Sequence, residues 1–275
     1  MDATNKIPSK IKTTMILNKI IEQKKVEITK EKQELPLKDI KNQLQNNNFP
    51  KNSFISKIES DIAKNNIAII AEVKKASPSK GVIREDFDHL EIAKIYENYG
   101  ASSISVLTDE KFFQGSKGYL TEIKNQVNLP LLRKDFIIDP YQIYQAKLIG
   151  ADCVLLIMSI LSEEEAINLE KIAIKNDLDV LVEVHNEEEL QKALKLQTKL
   201  IGINNRNLKN MTIDINNSIN LSKNIPQDKI IVCESGISDK NDIKLMQENN
   251  INCFLIGELF MRQNDIGKKL QELSR

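Results

Sequence analysis

Apolar positions along the chain follow two rhythms. From Thr13 to Gln33, Met15, Ile16, Ile20, Ile21 and Val26 recur at mostly helical spacing among lysines and glutamates, which predicts an amphipathic helix. Pro36 interrupts it, and shorter helical stretches are expected near Leu37–Leu44 and Phe54–Ala63. From Ile67 the texture changes to short β-branched runs: Ile67–Val73, Ser103–Leu107, Leu131–Arg133, Cys153–Ile157, Val180–Val184, Leu200–Ile203, Ile230–Cys233 and Cys253–Ile256. Most are apolar on both faces, as strands of a helix-covered parallel sheet require. The intervals carry helical patterns, for example Leu90–Tyr99, Tyr141–Ile149, Glu163–Ile174 and Asp239–Gln247.

Eight strands each followed by a helix predict an α/β fold of the (β/α)8 TIM-barrel type with an N-terminal helical extension. Residues 1–66 are expected to form the extension packed on the barrel and residues 67–275 the barrel, as one structural domain. A faint repeat agrees with this. Gly100-Ala-Ser-Ser-Ile-Ser-Val aligns with Gly150-Ala-Asp-Cys-Val-Leu-Leu and with Asn250-Ile-Asn-Cys-Phe-Leu-Ile. The spacing corresponds to two and four βα units of about 25 residues. Each copy opens on Gly or Asn, residues that tolerate the left-handed position ending a helix.

Composition narrows the class. A chain of 275 residues with 41% hydrophobic content suits one barrel of about 250 residues plus a short extension. Thirty-nine basic residues balance 39 acidic ones, so no global field draws nucleic acid or an anionic membrane, and any anion must be held by local groups. Cys153, Cys233 and Cys253 are odd in number and lack CxxC spacing, which suits reduced core thiols and a cytoplasmic location. The N-terminus has no apolar stretch for a signal peptide, and no segment approaches the ~18 apolar residues of a membrane span. A monomer, at most a weak dimer, is expected.

In such barrels chemistry sits at the C-terminal strand ends. Here those ends are consistently ionisable. The first run closes in Glu72-Val-Lys74-Lys75, and alternation puts Glu72 and Lys74 on one side. The third closes in Arg133-Lys134-Asp135-Phe136, the fifth in Glu183-Val-His185, the sixth in Asn204-Asn205-Arg206 and the seventh in Glu234-Ser235-Gly236. Singly, each reads equally as an internal salt bridge; together they make a functional mouth. Lysines and glutamates in a partly desolvated pocket are expected to shift toward neutrality and exchange protons with a substrate.

Only 9 glycines occur, so their places carry information. Gly236 and Gly257 follow strands seven and eight, where barrels build a phosphate cup from backbone N–H groups; tight turns are the alternative reading. Ser77-Pro78-Ser79-Lys80-Gly81 and Lys74 complete such a cup. No Walker loop or strand-linked GxGxxG indicates a nucleotide. Phe112, Phe113 and Phe136, just past strand ends, suit either an organic pocket or the core. His89 and His185 are read as surface or supporting residues, and two histidines without clustered Cys or Asp give no metal site.

The string Ile-Ile-Ala-Glu72-Val-Lys74-Lys-Ala-Ser77-Pro78-Ser-Lys-Gly resembles the first-strand signature of the indole-3-glycerol phosphate synthase family. The likeness continues through Ser-Val-Leu-Thr-Asp-Glu-Lys-Phe-Phe113-Gln-Gly-Ser, Leu-Leu-Arg-Lys134-Asp-Phe136-Ile, Gly-Ile-Asn204-Asn-Arg206-Asn-Leu and Glu234-Ser235-Gly236-Ile, over roughly residues 13–270. The resemblance implies a carbon–carbon lyase that closes the indole ring of 1-(2-carboxyphenylamino)-1-deoxy-D-ribulose 5-phosphate, with loss of CO2 and water and no cofactor. By similarity Lys134 is the general acid on the ketone and Glu183 acts in dehydration. Glu72 lies nearby, and Lys74 bridges the carboxylates and the substrate. Ser77, Gly236 and Gly257 match the phosphate grip. Phe113, Phe136, Asn204, Arg206, Glu234 and Ser235 match substrate contacts. The N-terminal helix resembles one that closes over the mouth. Glu258 departs from the pattern, standing where some members carry a hydroxyl beside the phosphate, and residues 1–12 have no counterpart. No second barrel is attached, so a monofunctional enzyme is expected.

Two rivals remain. An isomerase of a related ribulose phosphate, such as phosphoribosylanthranilate isomerase, wants a Cys/Asp pair at strand ends and a shorter barrel without the N-terminal helix; Cys233 is counted as core. A phosphosugar-binding barrel without catalysis should have lost Lys134 or Glu183 while keeping Gly236, and this chain has all three.

Overall fold

The computed structural model describes residues 9–46, 53–64, 66–207 and 211–274. Its eight apolar runs become parallel strands β1 (Ala68–Val73), β2 (Ser103–Leu107), β3 (Leu131–Lys134), β4 (Cys153–Ile157), β5 (Asp179–Val184), β6 (Leu200–Asn204), β7 (Ile230–Glu234) and β8 (Cys253–Ile256). They close into a barrel in chain order, β8 pairing with β1 through Ala68↔Cys253 to Ala71↔Ile256. Closure leaves no unpaired edge among them.

Strand alternation divides the core in two. Ile69, Ala71 and Val73 of β1 face outward onto the helices, together with Val180, Val182 and Val184 of β5. Ala68 and Ile70, with Leu132, Leu155, Leu181, Leu200, Val232 and Leu255, fill the barrel interior. These β-branched and leucine side chains are the reason the runs read as buried on both faces.

Among the described residues three helices precede β1: α1 (Ser9–Glu34), α2 (Leu37–Asn46) and α3 (Phe54–Ala63). α1 starts at Ser9, ahead of the expected Thr13, and residues 1–8 lie outside those described. Phe54 and Ile58 of α3 plug the bottom of the interior, and Asp179 at the start of β5 fixes that helix by accepting from Ser53 Oγ (3.2 Å) and Ile55 N (3.0 Å). α1 is tied to α7 (Pro140–Leu148) by the Tyr141 hydroxyl, which donates to the carbonyls of Glu31 and Leu35.

Between strands run α4 (His89–Asn98), α5 (Glu110–Phe113), α6 (Lys117–Lys124), α7, α8 (Glu163–Lys175), α9 (Glu187–Ala193), α10 (Asn216–Ser222) and α11 (Lys240–Gln247); α12 (Glu258–Met261) and α13 (Ile266–Ser274) follow β8. Asp88, Asp139, Ser162, Asn186 and Asp239 cap their helices by accepting first-turn N–H groups. The repeat's opening residues, Gly100, Gly150 and Asn250, all have positive φ, so each is a left-handed turn from helix into strand. All three cysteines are unpaired and buried. Among the described residues no helix is long and apolar enough to cross a membrane.

Candidate active site

The inward alternation that stacks Leu132 in the barrel brings Lys134, two residues on, to the top of the same column. By the same rule Glu72 tops β1, Glu183 tops β5, Asn204 tops β6 and Glu234 tops β7. The side chains converge on the lysine. Lys134 Nζ lies 2.8 Å from Glu234 Oε2 and 3.8 Å from both Glu72 Oε1 and Glu183 Oε2. Lys74 Nζ meets the other oxygen of Glu72 at 2.5 Å. These groups floor a cavity of about 540 Å³, within the usual range for a small-molecule site.

Charge there is unevenly set. Burial alone would lower the Lys134 pKa, but the carboxylates of Glu234, Glu72 and Glu183 outweigh it and hold the ammonium protonated well above the ordinary lysine range. This reverses the expected drift of that lysine toward neutrality: with three carboxylates around one cation, Coulomb attraction wins over desolvation. Burial works against ionised Glu72 as well, yet Lys74 and Lys134 pull its pKa below the usual carboxylate value. Glu183, also buried, is brought down to about 2 by His185 and Lys134. Glu234 alone moves toward neutrality, pushed up to about 7 by burial and the Glu183 charge despite Lys134.

Above this floor, Ser77, Gly236 and Gly257 line one side of the cavity with Arg206 and Ser235. The Ser77 hydroxyl is buried without a partner. Ser235 and Gly236 take φ of 66° and 97°, a left-handed pair that turns the backbone sharply into the cavity wall. Gly257 opens α12 with no side-chain cap, and a Cβ there would also come within 3.0 Å of Glu72 Cβ and Cδ. Its lack of a side chain therefore makes room for Glu72 as well as exposing an N–H. Glu258 lies 3.9 Å from Arg206 and 3.0 Å from Arg262, so two guanidiniums offset its charge. Opposite, Phe113 and Phe136 tilt together with ring centres 6.0 Å apart, under Ile16, Leu17 and Ile20 of α1.

Several strand-end residues do not join. Arg133 turns outward, donating from Nε to Thr108, from Nη1 to the Gln142 carbonyl and from Nη2 to Asp135. Asn205 braces the β7 loop by donating to the Ser235 carbonyl at 3.0 Å and accepting from Ser218. Cys233 faces the helices, with its thiol pushed up to about 11 by burial. Phe112 and Lys75 do not line the cavity. His89 stacks on Tyr119 and pairs with Glu122 on the outer surface. His185 takes the supporting one of its two expected places: its side chain is 7% exposed and lies against Glu183.

Other residues were not legible as site components. Ser159, two residues past the end of β4, and Arg262, just after α12, also line the cavity. Lys24 of α1 is buried and makes ion pairs with Asp109 (3.1 Å) and Asp135 (3.0 Å), joining the N-terminal helix to the residue after Lys134. Its only sequence signal is a lysine on a helix already rich in them. Among the described residues no group of three or more His, Cys, Asp or Glu side chains is arranged to hold a metal ion.

The family model for indole-3-glycerol phosphate synthase matches residues 17–273. The indole-3-glycerol phosphate synthase of Polynucleobacter asymbioticus is 47% identical over 262 residues, covering 94% of this chain and 98% of that one. That of Legionella pneumophila is 55% identical over 206 residues, covering 75% and 80%. Among solved structures, KGPDC from Streptococcus mutans superposes with a TM-score of 0.59 at 12% identity over 75% of this chain and 95% of that one, a likeness of fold alone.

Proposed function

The chain belongs to the indole-3-glycerol phosphate synthase family and is a lyase of tryptophan biosynthesis; we propose that Lys134, Glu183, Glu72 and Lys74 carry its chemistry. The substrate is 1-(2-carboxyphenylamino)-1-deoxy-D-ribulose 5-phosphate and the product indole-3-glycerol phosphate. Ring closure needs an electrophilic ketone carbon. As the aromatic carbon attacks it, the ketone oxygen becomes an alkoxide more basic than an amine, so the Lys134 ammonium yields its proton even though its pKa is held high. Loss of CO2 from the attacking ring carbon, which leaves the bonding pair in the ring, restores aromaticity.

Dehydration needs a base and an acid. Glu183, ionised at neutral pH, is the base. The departing hydroxyl takes its proton from an ammonium, and Lys74, held by Glu72, is the second ammonium at the mouth. Glu234 orients Lys134 and, poised near 7, is the carboxyl suited to return a proton to it. Ser77, Gly236 and Gly257 grip the phosphate, supported by the unpartnered Ser77 hydroxyl. Phe113 and Phe136 take the aromatic ring, while Asn204, Arg206 and Ser235 contact the polar chain. Residues 1–66 are assigned to an extension of the one structural domain whose barrel is residues 67–275. A cytoplasmic location fits the unpaired cysteines, and a small-molecule partner with neither nucleic acid nor membrane fits the balanced charge; a monomer, at most a weak dimer, working without cofactor completes the reading.

The observation that carries this reading is one ammonium within ion-pair reach of carboxylates from three strands on a cavity floor. Purified protein given the carboxyphenylamino substrate should develop indole fluorescence, and a parallel assay with phosphoribosylanthranilate should stay silent. The reverse result would establish the isomerase.

A further inference from the structure

Glu183 faces two cations, one on each oxygen. Oε2 looks across the cavity to Lys134 at 3.8 Å, and Oε1 meets His185 Nε2 at 3.3 Å. The histidine is not free to move. Its Nδ1 lies 3.0 Å from Glu189 Oε2, and the same oxygen accepts the His185 backbone N–H at 2.9 Å. Glu189 is fixed in turn at the start of α9. Asn186 Nδ2 donates to Glu189 Oε1 at 2.7 Å, and the Glu189 N–H donates to Asn186 Oδ1 at 3.0 Å. The Asn217 amide of α10 adds a contact to the His185 carbonyl at 3.3 Å. A rigid helix start thus locates a carboxylate, the carboxylate orients an imidazole, and the imidazole meets the carboxylate at the cavity floor.

We propose that His185, anchored at Nδ1 by Glu189, is a positioning residue that sets the orientation and charge of the Glu183 carboxylate for the dehydration step. This deepens the assignment of Glu183 as the base and rests on it. Nδ1 is hydrogen-bonded to Glu189, while Nε2, buried and without a hydrogen-bond partner, lies 3.3 Å from Glu183 Oε1; a ring set between two carboxylates is favoured as the imidazolium. Burial opposes that charge, yet Glu183 and Glu189 raise its pKa to about 10. The positive ring offsets the like charges of Glu234 and Glu72, which otherwise push Glu183 toward protonation. The groups facing Glu183 are then Lys134 from β3, Asn204 from β6, Glu72 from β1, Glu234 from β7 and His185; those facing His185 are Glu183 and Glu189. A base that must stay ionised and hold one direction gains both from such a neighbour.

The test compares the parent with His185→Ala, His185→Gln, Glu183→Gln and the double variant His185→Ala/Glu183→Gln, reading kcat and KM from indole fluorescence across pH and fold from thermal melts. His185→Ala should lower kcat about tenfold or more with KM within about twofold, as loss of an orienting partner does. The acid limb of its kcat profile should move to higher pH, because Glu183 loses a cation. His185→Gln should recover part of kcat, since an amide N–H can still reach Glu183, while its acid limb stays displaced. In the Glu183→Gln background the histidine change should cost nothing more. An equal loss in both backgrounds, a loss confined to KM, or an unmoved acid limb overturns the proposal. If Glu183→Gln keeps the parental kcat, the assignment of Glu183 fails and this inference with it; if Glu183→Gln is slow and His185→Ala is not, this inference alone fails. Should His185→Ala not fold, the acid limb of His185→Gln decides.

Discussion

Gly202 on β6 lies against the end of Glu234: a methyl group on its Cα would come within 3.3 Å of Glu234 Cδ and nearer still to Oε1. The close approach leaves Glu234 the space from which it reaches Lys134. Gly202→Ala is expected to push that carboxylate off the lysine, lowering kcat at least about tenfold while costing about 1–3 kcal/mol of stability as an overpacking change. Indole fluorescence and thermal melts read the two effects separately.

Lys134→Met should abolish indole formation, a loss of about 10²–10⁴ in kcat for a removed general acid, while leaving affinity for a phosphate-bearing product analogue near the parental value. Calorimetric titration with the analogue checks the second half. Unchanged turnover would remove the assigned acid.

Two of the buried carboxyls should make stability depend on pH, with opposite signs. Glu234 has its pKa raised from 4.5 to about 7, so its contribution is complete below pH 4.5 and is lost as pH rises through 7. Glu183 is lowered to about 2, so its contribution is present above 4.5 and is lost as pH falls toward 2. Glu234→Gln should therefore flatten the decline in melting temperature between about pH 4.5 and 7 and leave the acid side steep. An identical slope in parent and variant would contradict the Glu234 shift.

Lys24→Met removes the cation shared by Asp109 and Asp135 while leaving Arg133 on Asp135. Breaking a buried pair typically costs about 3–5 kcal/mol, and most of that should fall on Asp109. Hydrogen exchange should show α1 opening well before the barrel, with kcat falling as the apolar roof of Ile16, Leu17 and Ile20 loosens. Parental protection of α1 would show that apolar packing alone seats it.

The barrel was legible because its two periods differ: runs apolar on both faces mark strands, and the stretches between them carry helical spacing. The floor was partly legible for the same reason, since Glu72, Lys134, Glu183 and Glu234 interrupt apolar runs at inward positions. Alternation also separates Arg133 from Lys134, but the ionisable look of both ends hid that one turns to the helices. Ser159 was hidden because a lone hydroxyl after an apolar run has no distinctive spacing. Lys24 and the Glu189–His185 contact were hidden because their partners are fixed by helix docking and loop conformation, which sequence spacing does not encode.

The three unpaired thiols have a practical consequence. Cys153 and Cys253 sit inside the barrel and Cys233 beneath its helices, each wholly covered and with its pKa raised by burial. An alkylating reagent finds neither a surface nor a thiolate to attack until the staves part. The native chain therefore carries its own unfolding clock, in which the rate of sulfur labelling under saturating reagent is the rate at which the cylinder comes open.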